Sequence, residues 1–311
     1  MSTVIDSPGR RFRAELAAHT PLLLPGVHDA LSARVLRRSG ARVGYLSGSA
    51  TAMATLAAPD IGLLSGTELI DQARRITTAT DLALICDADT GFGNAVNVAH
   101  TVRALESAGA AGLQLEDQTF PKRCGHFDGK SVVSSEEMVQ KIYAAAEARS
   151  DEDTVIIART DAAAEHGIDE AIRRGRLYAA AGADVIFVEA PAGIEDLRRI
   201  PAAIGAPTLV NVVEGGRTPQ LDLDEYGAMG FDIVLYPTAA VRAVAAALEG
   251  LYGHLLGHGT TAGGPVELVA FARRNEITGF AGFEELAARV SARAHDHLAD
   301  HPDLNPGAQR D

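Results

Sequence analysis

Three carboxylates in this sequence are spaced so that they could hold a metal ion. Asp87 and Asp89 lie two residues apart at the end of an apolar run, and Glu116 ends the next such run. Side chains two apart on an extended backbone point the same way, so both aspartates could face Glu116 on a neighbouring strand. Clustered carboxylates repel one another without a cation, and oxygen ligands suit Mg²⁺ or Mn²⁺. The alternative is that one or two of them cap helices or pair with Arg159.

A charged loop around a cysteine is the second candidate group. It reads Pro-Lys-Arg-Cys-Gly-His over residues 121–126. Neighbouring positive charges lower the pKa of a thiol, which would make Cys124 a usable proton donor or acceptor. Gly125 allows the backbone to approach a ligand closely. Zinc is not expected, because no second Cys or His lies at ligand spacing around Cys124. The other cysteine, Cys86, lies inside an apolar run and is expected to be structural.

The elements that would position these residues alternate along the chain. Eight continuous apolar runs predict strands covered on both faces. They span residues 22–25, 43–47, 83–87, 112–116, 155–159, 185–189, 208–213 and 233–236. Helical spacing between them predicts a (β/α)8 barrel, a TIM barrel, over residues 21–258. The competing doubly wound sheet usually has a glycine-rich turn after its first strand, which is missing here. We expect an N-terminal segment at 1–20 and a C-terminal helical extension with a tail at 259–311.

Polar residues follow the predicted strands at their carboxyl ends. In chain order from the second strand, the ends are Ser47-Gly48-Ser49, Asp87-Ala88-Asp89, Glu116-Asp117, Arg159-Thr160-Asp161, Glu189, Asn211 with Glu214, and Tyr236-Pro237. In a barrel these ends meet on one face, where catalysis occurs in characterised barrel enzymes. The pattern therefore predicts an active site on that face.

Composition excludes several other classes of protein. The 311 residues include 28 Lys and Arg against 41 Asp and Glu, a net charge of −13, which argues against nonspecific nucleic-acid binding. Two cysteines are too few for a disulfide framework. No apolar run is long enough to cross a membrane, and no secretion signal is visible. We therefore expect a cytoplasmic protein with a small-molecule substrate and without nucleic-acid or membrane partners.

The motifs together resemble the isocitrate lyase/phosphoenolpyruvate mutase superfamily. They are Asp-Ala-Asp-Thr-Gly-Phe-Gly at 87–93, Leu-Glu-Asp-Gln at 115–118, Lys-Arg-Cys-Gly-His at 122–126, Ile-Ala-Arg-Thr-Asp at 157–161 and Tyr-Leu-Ser-Gly at 45–48. The resemblance covers roughly residues 25–255, and the cysteine motif is typical of the carbon–carbon lyase branch. Residues 213–219 also resemble the carboxyphosphonoenolpyruvate mutase group.

The resemblance implies a barrel that exchanges its last helix with a neighbour in a homotetramer, a dimer of dimers. It implies Mg²⁺ held by Asp87 and Asp89, largely through water, with Asp60 and Glu116 nearby. Substrate carboxylates would contact Ser47, Gly48, Ser49, Arg159 and the backbone of Gly125 and His126. Glu189, Asn211 and Glu214 would complete the site.

The implied chemistry is retro-aldol cleavage of a 2-hydroxy acid to pyruvate or glyoxylate plus a carboxylate. Cys124 would act as the general acid that protonates the carbanion. Arg123 and His126 would set the pKa of this thiol, and Glu189 would help to orient the loop. Tyr45 is a candidate partner for the substrate hydroxyl proton, although an ordinary strand-end aromatic is nearly as good an interpretation.

The sequence leaves the substrate open. Arg242 lies where 2-methylisocitrate lyases carry an arginine that meets an additional carboxylate, which favours a tricarboxylate. Glu214-Gly215-Gly216 and residues 187–191 are more similar to the alkylmalate and phosphonate branches. We favour 2-methylisocitrate over an alkylmalate. The alternatives are a phosphoenolpyruvate- or carboxyphosphonoenolpyruvate-type mutase, and an oxaloacetate-acting hydrolase or decarboxylase. A non-catalytic barrel is disfavoured, because the metal carboxylates and the cysteine loop are intact.

Overall fold

The computed structural model describes residues 6–125 and 129–301. His126 and the end of the predicted tail lie outside the described residues. Eight parallel strands pair in chain order and close, β1 against β8, into a barrel. They are β1 Leu22–Val27, β2 Val43–Leu46, β3 Ala83–Asp87, β4 Gly112–Glu116, β5 Val155–Thr160, β6 Val185–Val188, β7 Thr208–Asn211 and β8 Ile233–Tyr236. The predicted (β/α)8 barrel is confirmed.

Helices connect the strands and continue beyond the last one. They are α1 Pro8–Ala18, α2 Ala30–Arg38, α3 Gly48–Leu56, α4 Gly66–Ala79, α5 Ala95–Ser107, α6 Ser135–Ala148, α7 Ala162–His166, α8 Ile168–Ala180, α9 Ile194–Ile204, α10 Leu223–Ala228, α11 Ala239–His258, α12 Phe271–Thr278 and α13 Phe280–Asp300. Strand β2 ends one residue before the predicted bound, because the Ser47 side chain accepts a hydrogen bond from the Ala50 N–H and begins α3.

Two apolar layers hold the barrel together. The inner layer contains alternate strand residues such as Leu24, Ile85 and Ile157, and Phe12 of α1 is fully buried with them. The outer layer packs the other strand residues against the surrounding helices. Alternation of this kind follows from the two-residue period of a strand, and it leaves the strand ends to carry polar groups. Because Phe12 joins the barrel interior, α1 is packed against the barrel; the division at residue 20 stays a prediction.

The C-terminal helices confirm the predicted extension but contribute little to this core. Helix α12 packs on α2, and α13 contacts α12. None of the residues of α13 is buried, and Phe283 and Val290 are more than half exposed. Exchange of this helix between subunits stays a prediction. Within the described residues, no helix is both long and apolar enough to span a membrane.

Candidate active site

A cavity of about 230 Å³ opens at the carboxyl ends of the strands. Eleven of the residues predicted for the site line it: Tyr45, Ser47, Ser49, Asp60, Asp87, Cys124, Gly125, Arg159, Glu189, Asn211 and Arg242. Gly48, Asp89, Glu116, Arg123 and Glu214 lie behind this lining, in contact with it or next to it in the chain. His126 lies outside the described residues. The strand-end pattern therefore located a real concave site, although the chemical role of each residue stays a prediction.

Asp87 is held in place by backbone groups. Its Oδ2 accepts from the N–H of Gly48 at 3.2 Å, and its Oδ1 accepts from the N–H of Asp89 at 3.1 Å. A Cβ on Gly48 would lie 3.0 Å from Oδ2, so glycine allows this close approach. The carboxylate is thus oriented before any ligand binds, and it faces the cavity.

A buried lysine bridges two of the other predicted metal carboxylates. Lys122 Nζ lies 2.5 Å from Asp60 Oδ1 and 2.7 Å from Asp89 Oδ1, and its side chain is only 2% exposed. Burial, together with Asp87 and Asp60, raises the pKa of Asp89 to about 7 against the opposing effect of Lys122. The ammonium therefore offsets part of the repulsion among these carboxylates that was expected to require a metal ion.

Arg159 connects the remaining acidic residues. It donates to both carboxylate oxygens of Asp161 at 2.9 Å, and its Nη1 lies 3.0 Å from Glu116 Oε2. Its guanidinium also lies over the ring of Phe187, 5.3 Å from the centroid. Glu116 thus makes the ion pair that was the alternative to metal ligation. Burial still raises its pKa well above the usual value, even beside Arg159.

The donor set fits a magnesium ion that keeps most of its water. Buried Glu116 accepts no hydrogen bond from the described residues, although its Oε2 forms the 3.0 Å ion pair with Arg159, and Asp87 faces the cavity. In residues 6–125 and 129–301, no three His, Cys, Asp or Glu side chains form a group that could hold an ion alone. Mg²⁺ commonly binds one or two carboxylates and retains several waters, so these two facts are compatible.

The Cys124 loop is tied to the barrel mouth by its backbone. The N–H of Cys124 donates to the carbonyl of Asp60 at 3.0 Å. Gln118 pairs with the backbone of Arg123 twice, accepting from its N–H at 2.9 Å and donating to its carbonyl at 2.8 Å. These bonds place the thiol at the cavity, where an acid would have to lie.

Gly125 lies against Arg159 and Glu189. A Cβ on Gly125 would lie 2.5 Å from Arg159 Nη2 and 2.5 Å from Glu189 Cδ. Its carbonyl accepts from Lys130 Nζ at 2.5 Å, and the same ammonium lies 2.7 Å from Asp161 Oδ1. The loop and the Arg159–Asp161 pair are therefore connected through one buried lysine.

Tyr45 and Gln114 share a hydrogen bond on the cavity floor. The Tyr45 hydroxyl donates to Gln114 Oε1 at 2.8 Å. Burial, followed by the charge of Asp87, raises the pKa of this phenol well above its usual range. A protonated phenol donates a hydrogen bond readily, whereas a base would need a lower pKa. Cys86 is fully buried and burial raises its pKa, in keeping with its predicted structural role.

The far side of the site contains two further polar pairs. Asn211 Nδ2 donates to Glu189 Oε2 at 3.2 Å. Arg242 Nη1 donates both to the carbonyl and to the carboxylate of Glu214, each at 2.9 Å. The arginine predicted to receive a third substrate carboxylate thus already has an anionic partner.

Sequence reasoning missed the roles of four residues. Gln114 lies two residues before Glu116 on β4 and so shares its face, a signal that the strand period could have supplied. Asp161 and Lys122 stand inside two of the motifs, but the ion pairs of Lys122 with Asp60 and Asp89, and of Asp161 with Lys130, join distant segments. Lys130 stands beyond the motif, and nothing in its spacing indicated a partner.

Comparison with known proteins agrees with this geometry. The family model for phosphoenolpyruvate phosphomutase matches residues 12–256. The 2,3-dimethylmalate lyase of Eubacterium barkeri is 45% identical over 276 residues, which covers 89% of this chain and 96% of that protein. The 2-methylisocitrate lyase of Escherichia coli is 43% identical over 257 residues, covering 82% of this chain and 87% of that protein. Both relatives are carbon–carbon lyases.

Solved structures show the same architecture. Oxaloacetate acetylhydrolase in complex with 3,3-difluorooxalacetate superposes with a TM-score of 0.86 at 33% identity, covering 92% of this chain and 97% of that one. Phosphonopyruvate hydrolase in complex with oxalate and Mg²⁺ gives 0.82 at 31% identity, covering 91% and 99%. Such a magnesium complex in a neighbour is consistent with the carboxylate donor set described above.

Proposed function

Since the chain belongs to the phosphoenolpyruvate mutase/isocitrate lyase superfamily, we propose that it is a Mg²⁺-dependent carbon–carbon lyase. Its substrate would be a 2-hydroxy di- or tricarboxylate of the 2-methylisocitrate or alkylmalate type. Retro-aldol cleavage would release a 2-oxo acid, pyruvate or glyoxylate, together with a carboxylate. Relatives named as lyases for both types of substrate support this class of reaction.

The observation that carries the proposal is that Cys124 lines the same cavity as Asp87 and Arg159. Carbon–carbon cleavage of a 2-hydroxy acid needs a cationic group for the substrate carboxylate and a site for a cation near the hydroxyl. It also needs an acid that protonates the departing carbon. The three side chains supply these three requirements, and the cavity volume suits a small organic acid.

The metal would be held by Asp87 and Asp89, largely through water, with Asp60 and Glu116 nearby. When bound, Mg²⁺ would supply positive charge that lowers the pKa of the substrate hydroxyl and stabilises negative charge on its oxygen. Mn²⁺ prefers similar oxygen ligands and could replace it.

The chain's own residues would bind the substrate and transfer its protons. Arg159 binds a substrate carboxylate, and the positive end of the α3 dipole, where Ser47 begins the helix, favours the same anion. As the carbon–carbon bond breaks, the hydroxyl passes its proton to the deprotonated form of Tyr45 and becomes the new carbonyl. The electron pair stays on the carbon next to the other carboxylate, and the Cys124 thiol protonates that carbon.

Other residues would support these steps. Glu189 and Asn211, joined by a hydrogen bond, border the substrate beside Arg159. Arg123 and His126 would set the pKa of the thiol. Tyr45 is our candidate for the hydroxyl proton. Burial raises the pKa of this phenol and keeps it protonated in the resting site; the positive charge of bound Mg²⁺ would lower that pKa, and the deprotonated phenol could then accept the hydroxyl proton.

A coupled assay tests the proposal. Lactate dehydrogenase would follow pyruvate and glyoxylate released from 2-methylisocitrate, isocitrate, 2,3-dimethylmalate and oxaloacetate with Mg²⁺. We expect turnover of at least one 2-hydroxy acid, loss of turnover with EDTA, and recovery when Mg²⁺ is restored. Cys124→Ser should abolish cleavage, whereas Cys86→Ser serves as the matched control. Absence of a 2-oxo acid from every substrate would refute the lyase assignment.

A mutase or hydrolase of the same superfamily is the second candidate. The family model that matches residues 12–256 is that of a phosphomutase, and oxaloacetate acetylhydrolase is a structural neighbour. A mutase moves a phosphoryl or carboxyphosphono group between oxygen and carbon, and it needs no acid that protonates a carbon atom. Cys124→Ser would therefore spare much of a mutase activity while abolishing a lyase. Release of acetate and oxalate from oxaloacetate would identify the hydrolase.

We also propose a homotetramer built from dimers, located in the cytoplasm. Helix α13 supports the assembly, because it carries large apolar residues that its own barrel does not cover. Phe280, Phe283, Leu286 and Val290 are each 47% exposed or more. Light scattering coupled to gel filtration would test the assembly; a monomer at micromolar concentration would contradict it.

A further inference from the structure

The segment at residues 88–93, which we call the Asp89 turn, follows β3 in a conformation that few residues adopt. Asp89 has φ +46° and Phe92 has φ +59°, both in the left-handed region, and Gly91 between them has φ +83°. A residue other than glycine keeps such a conformation only where the surrounding structure imposes it. The position of the Asp89 carboxylate therefore depends on contacts that hold this turn from outside.

Three successive carbonyls of the Asp89 turn accept hydrogen bonds from three different elements. The N–H of the last residue of β4 donates to the carbonyl of Asp89 at 2.9 Å. On α6, Lys141 Nζ donates to the carbonyl of Thr90 at 3.2 Å. On α5, the Thr101 hydroxyl donates to the carbonyl of Gly91 at 3.3 Å. One strand and two helices therefore hold the turn at three consecutive residues.

Lys141 is the charged member of this set, and its side chain is only 4% exposed. It forms an ion pair with Glu137, one turn earlier on α6, at 3.5 Å, but the Glu137 side chain is 49% exposed. A buried ammonium loses hydration that one partly solvated carboxylate replaces only in part. An apolar side chain of similar volume, such as methionine, is often neutral or stabilising at a buried charged position. Stability alone therefore does not explain a lysine here.

We infer that Lys141 is a positioning residue for the metal site, an inference that rests on the proposed binding of Mg²⁺ by Asp87 and Asp89. Its ammonium fixes the carbonyl of Thr90, and so the backbone from which the Asp89 carboxylate projects. The N–H of Asp89 donates to Asp87 Oδ1 at 3.1 Å, so the same backbone also orients the second carboxylate. Lys141 lies outside the lining of the cavity and therefore acts through the turn.

The sign of the effect on metal affinity separates positioning from charge. An ammonium that acts only through its charge repels a cation, so its removal would tighten metal binding. An ammonium that holds the turn keeps both carboxylates oriented before the metal arrives, so its removal would weaken binding. Lys141→Met therefore gives opposite results under the two interpretations.

Binding of Mn²⁺, followed by the electron paramagnetic resonance signal of the free ion, tests the inference without substrate or turnover. We expect Lys141→Met to raise the Kd for Mn²⁺ at least about fivefold, because residues that orient metal ligands commonly contribute about tenfold or more. Its melting temperature should stay within about 4 °C of wild type. Lys141→Arg keeps a donor for the Thr90 carbonyl and should restore the Kd to within about threefold. Glu137→Gln is the matched control: it removes the ion pair, leaves the bond to Thr90, and should change the Kd less than about twofold.

A Kd that falls in Lys141→Met, or rises less than about fivefold, would overturn the inference, as would an equal rise in Glu137→Gln. If Lys141→Met does not fold, Lys141→Gln is judged by the same threshold, since its amide ends one atom short of the lysine nitrogen. A wild type that binds no Mn²⁺ would refute the metal site and this inference together. A wild type that binds Mn²⁺ but cleaves no 2-hydroxy acid would refute only the lyase function, and the Kd values would still decide the role of Lys141.

Discussion

Replacing Gly125 by alanine tests whether the close approach of the Cys124 loop is required for catalysis. The new Cβ would lie 2.5 Å from Arg159 Nη2 and equally close to Glu189 Cδ. That is about 1 Å short of an ordinary non-bonded separation. Arg159 is held by two hydrogen bonds to Asp161, each 2.9 Å, and Glu189 is fully buried. The loop must therefore move outward, and the neighbouring thiol with it.

The expected loss follows from that displacement. A misplacement of about 1 Å at a reacting group costs on the order of 100-fold in rate, or about 2.7 kcal/mol of transition-state stabilisation. We therefore expect kcat/KM of Gly125→Ala in the coupled 2-oxo acid assay to fall by about that factor. The melting temperature should change little, because the loop lies outside both apolar layers.

Gly193→Ala is the matched control. Gly193 precedes α9 with extended backbone, and a Cβ there meets nothing within 4 Å. It should keep kcat/KM within about twofold of wild type, as expected for a substitution without a steric contact. Activity of Gly125→Ala within about threefold of wild type would refute the reasoning, since the loop would then tolerate the displacement or play no part in the chemistry.

Three further substitutions test the buried charges and one surface ion pair. Lys130→Met removes the ammonium that joins the Gly125 carbonyl to Asp161, so kcat/KM should fall at least about tenfold through loss of loop positioning; wild-type kinetics would contradict this link. Asp117→Ala leaves buried donors of Arg174, Tyr178 and Thr160 without their acceptor and should cost about 3 kcal/mol in urea unfolding; a loss below about 1 kcal/mol would contradict it. Hydrogen bonding to Arg173 lowers the pKa of Glu170 to about 2. Because this folded-state pKa is depressed, the stabilisation is complete above the unfolded value near 4.5 and disappears as pH falls toward 2. Wild type should therefore exceed Glu170→Gln in stability at pH 7 and lose that advantage near pH 2; a pH-independent difference would exclude this titration.

Much of the fold was predictable because its signals are local. Each buried parallel strand is a continuous apolar run, and each is followed by helical spacing. Counting eight such units is therefore enough to predict the barrel. Boundaries were less predictable where a polar side chain decides them. The Ser47 hydroxyl caps α3 and ends β2, and the two-residue apolar extension predicted after Asn211 is loop rather than strand.

The site was predictable in composition but not in pairing. Strand-end residues and the cysteine motif identified most of the cavity lining, because the carboxyl ends of barrel strands must converge. The ion-pair partners of the charged side chains were not predictable. Glu116 was expected mainly as a metal ligand, yet it pairs with Arg159; Lys122 was noted only as a neighbour of Cys124, yet it bridges Asp60 and Asp89.

The sequence by itself determined the barrel, the face that carries the active site, and the superfamily to which the chain belongs. These properties depend on periodicity and on short motifs, which are local in the chain. The tertiary structure alone decided which charges neutralise one another, from the Lys122 bridge to the pair of Arg242 with Glu214. Such pairs join residues far apart in sequence, and their strength depends on burial and on distances of a few ångströms, which no spacing in the chain encodes.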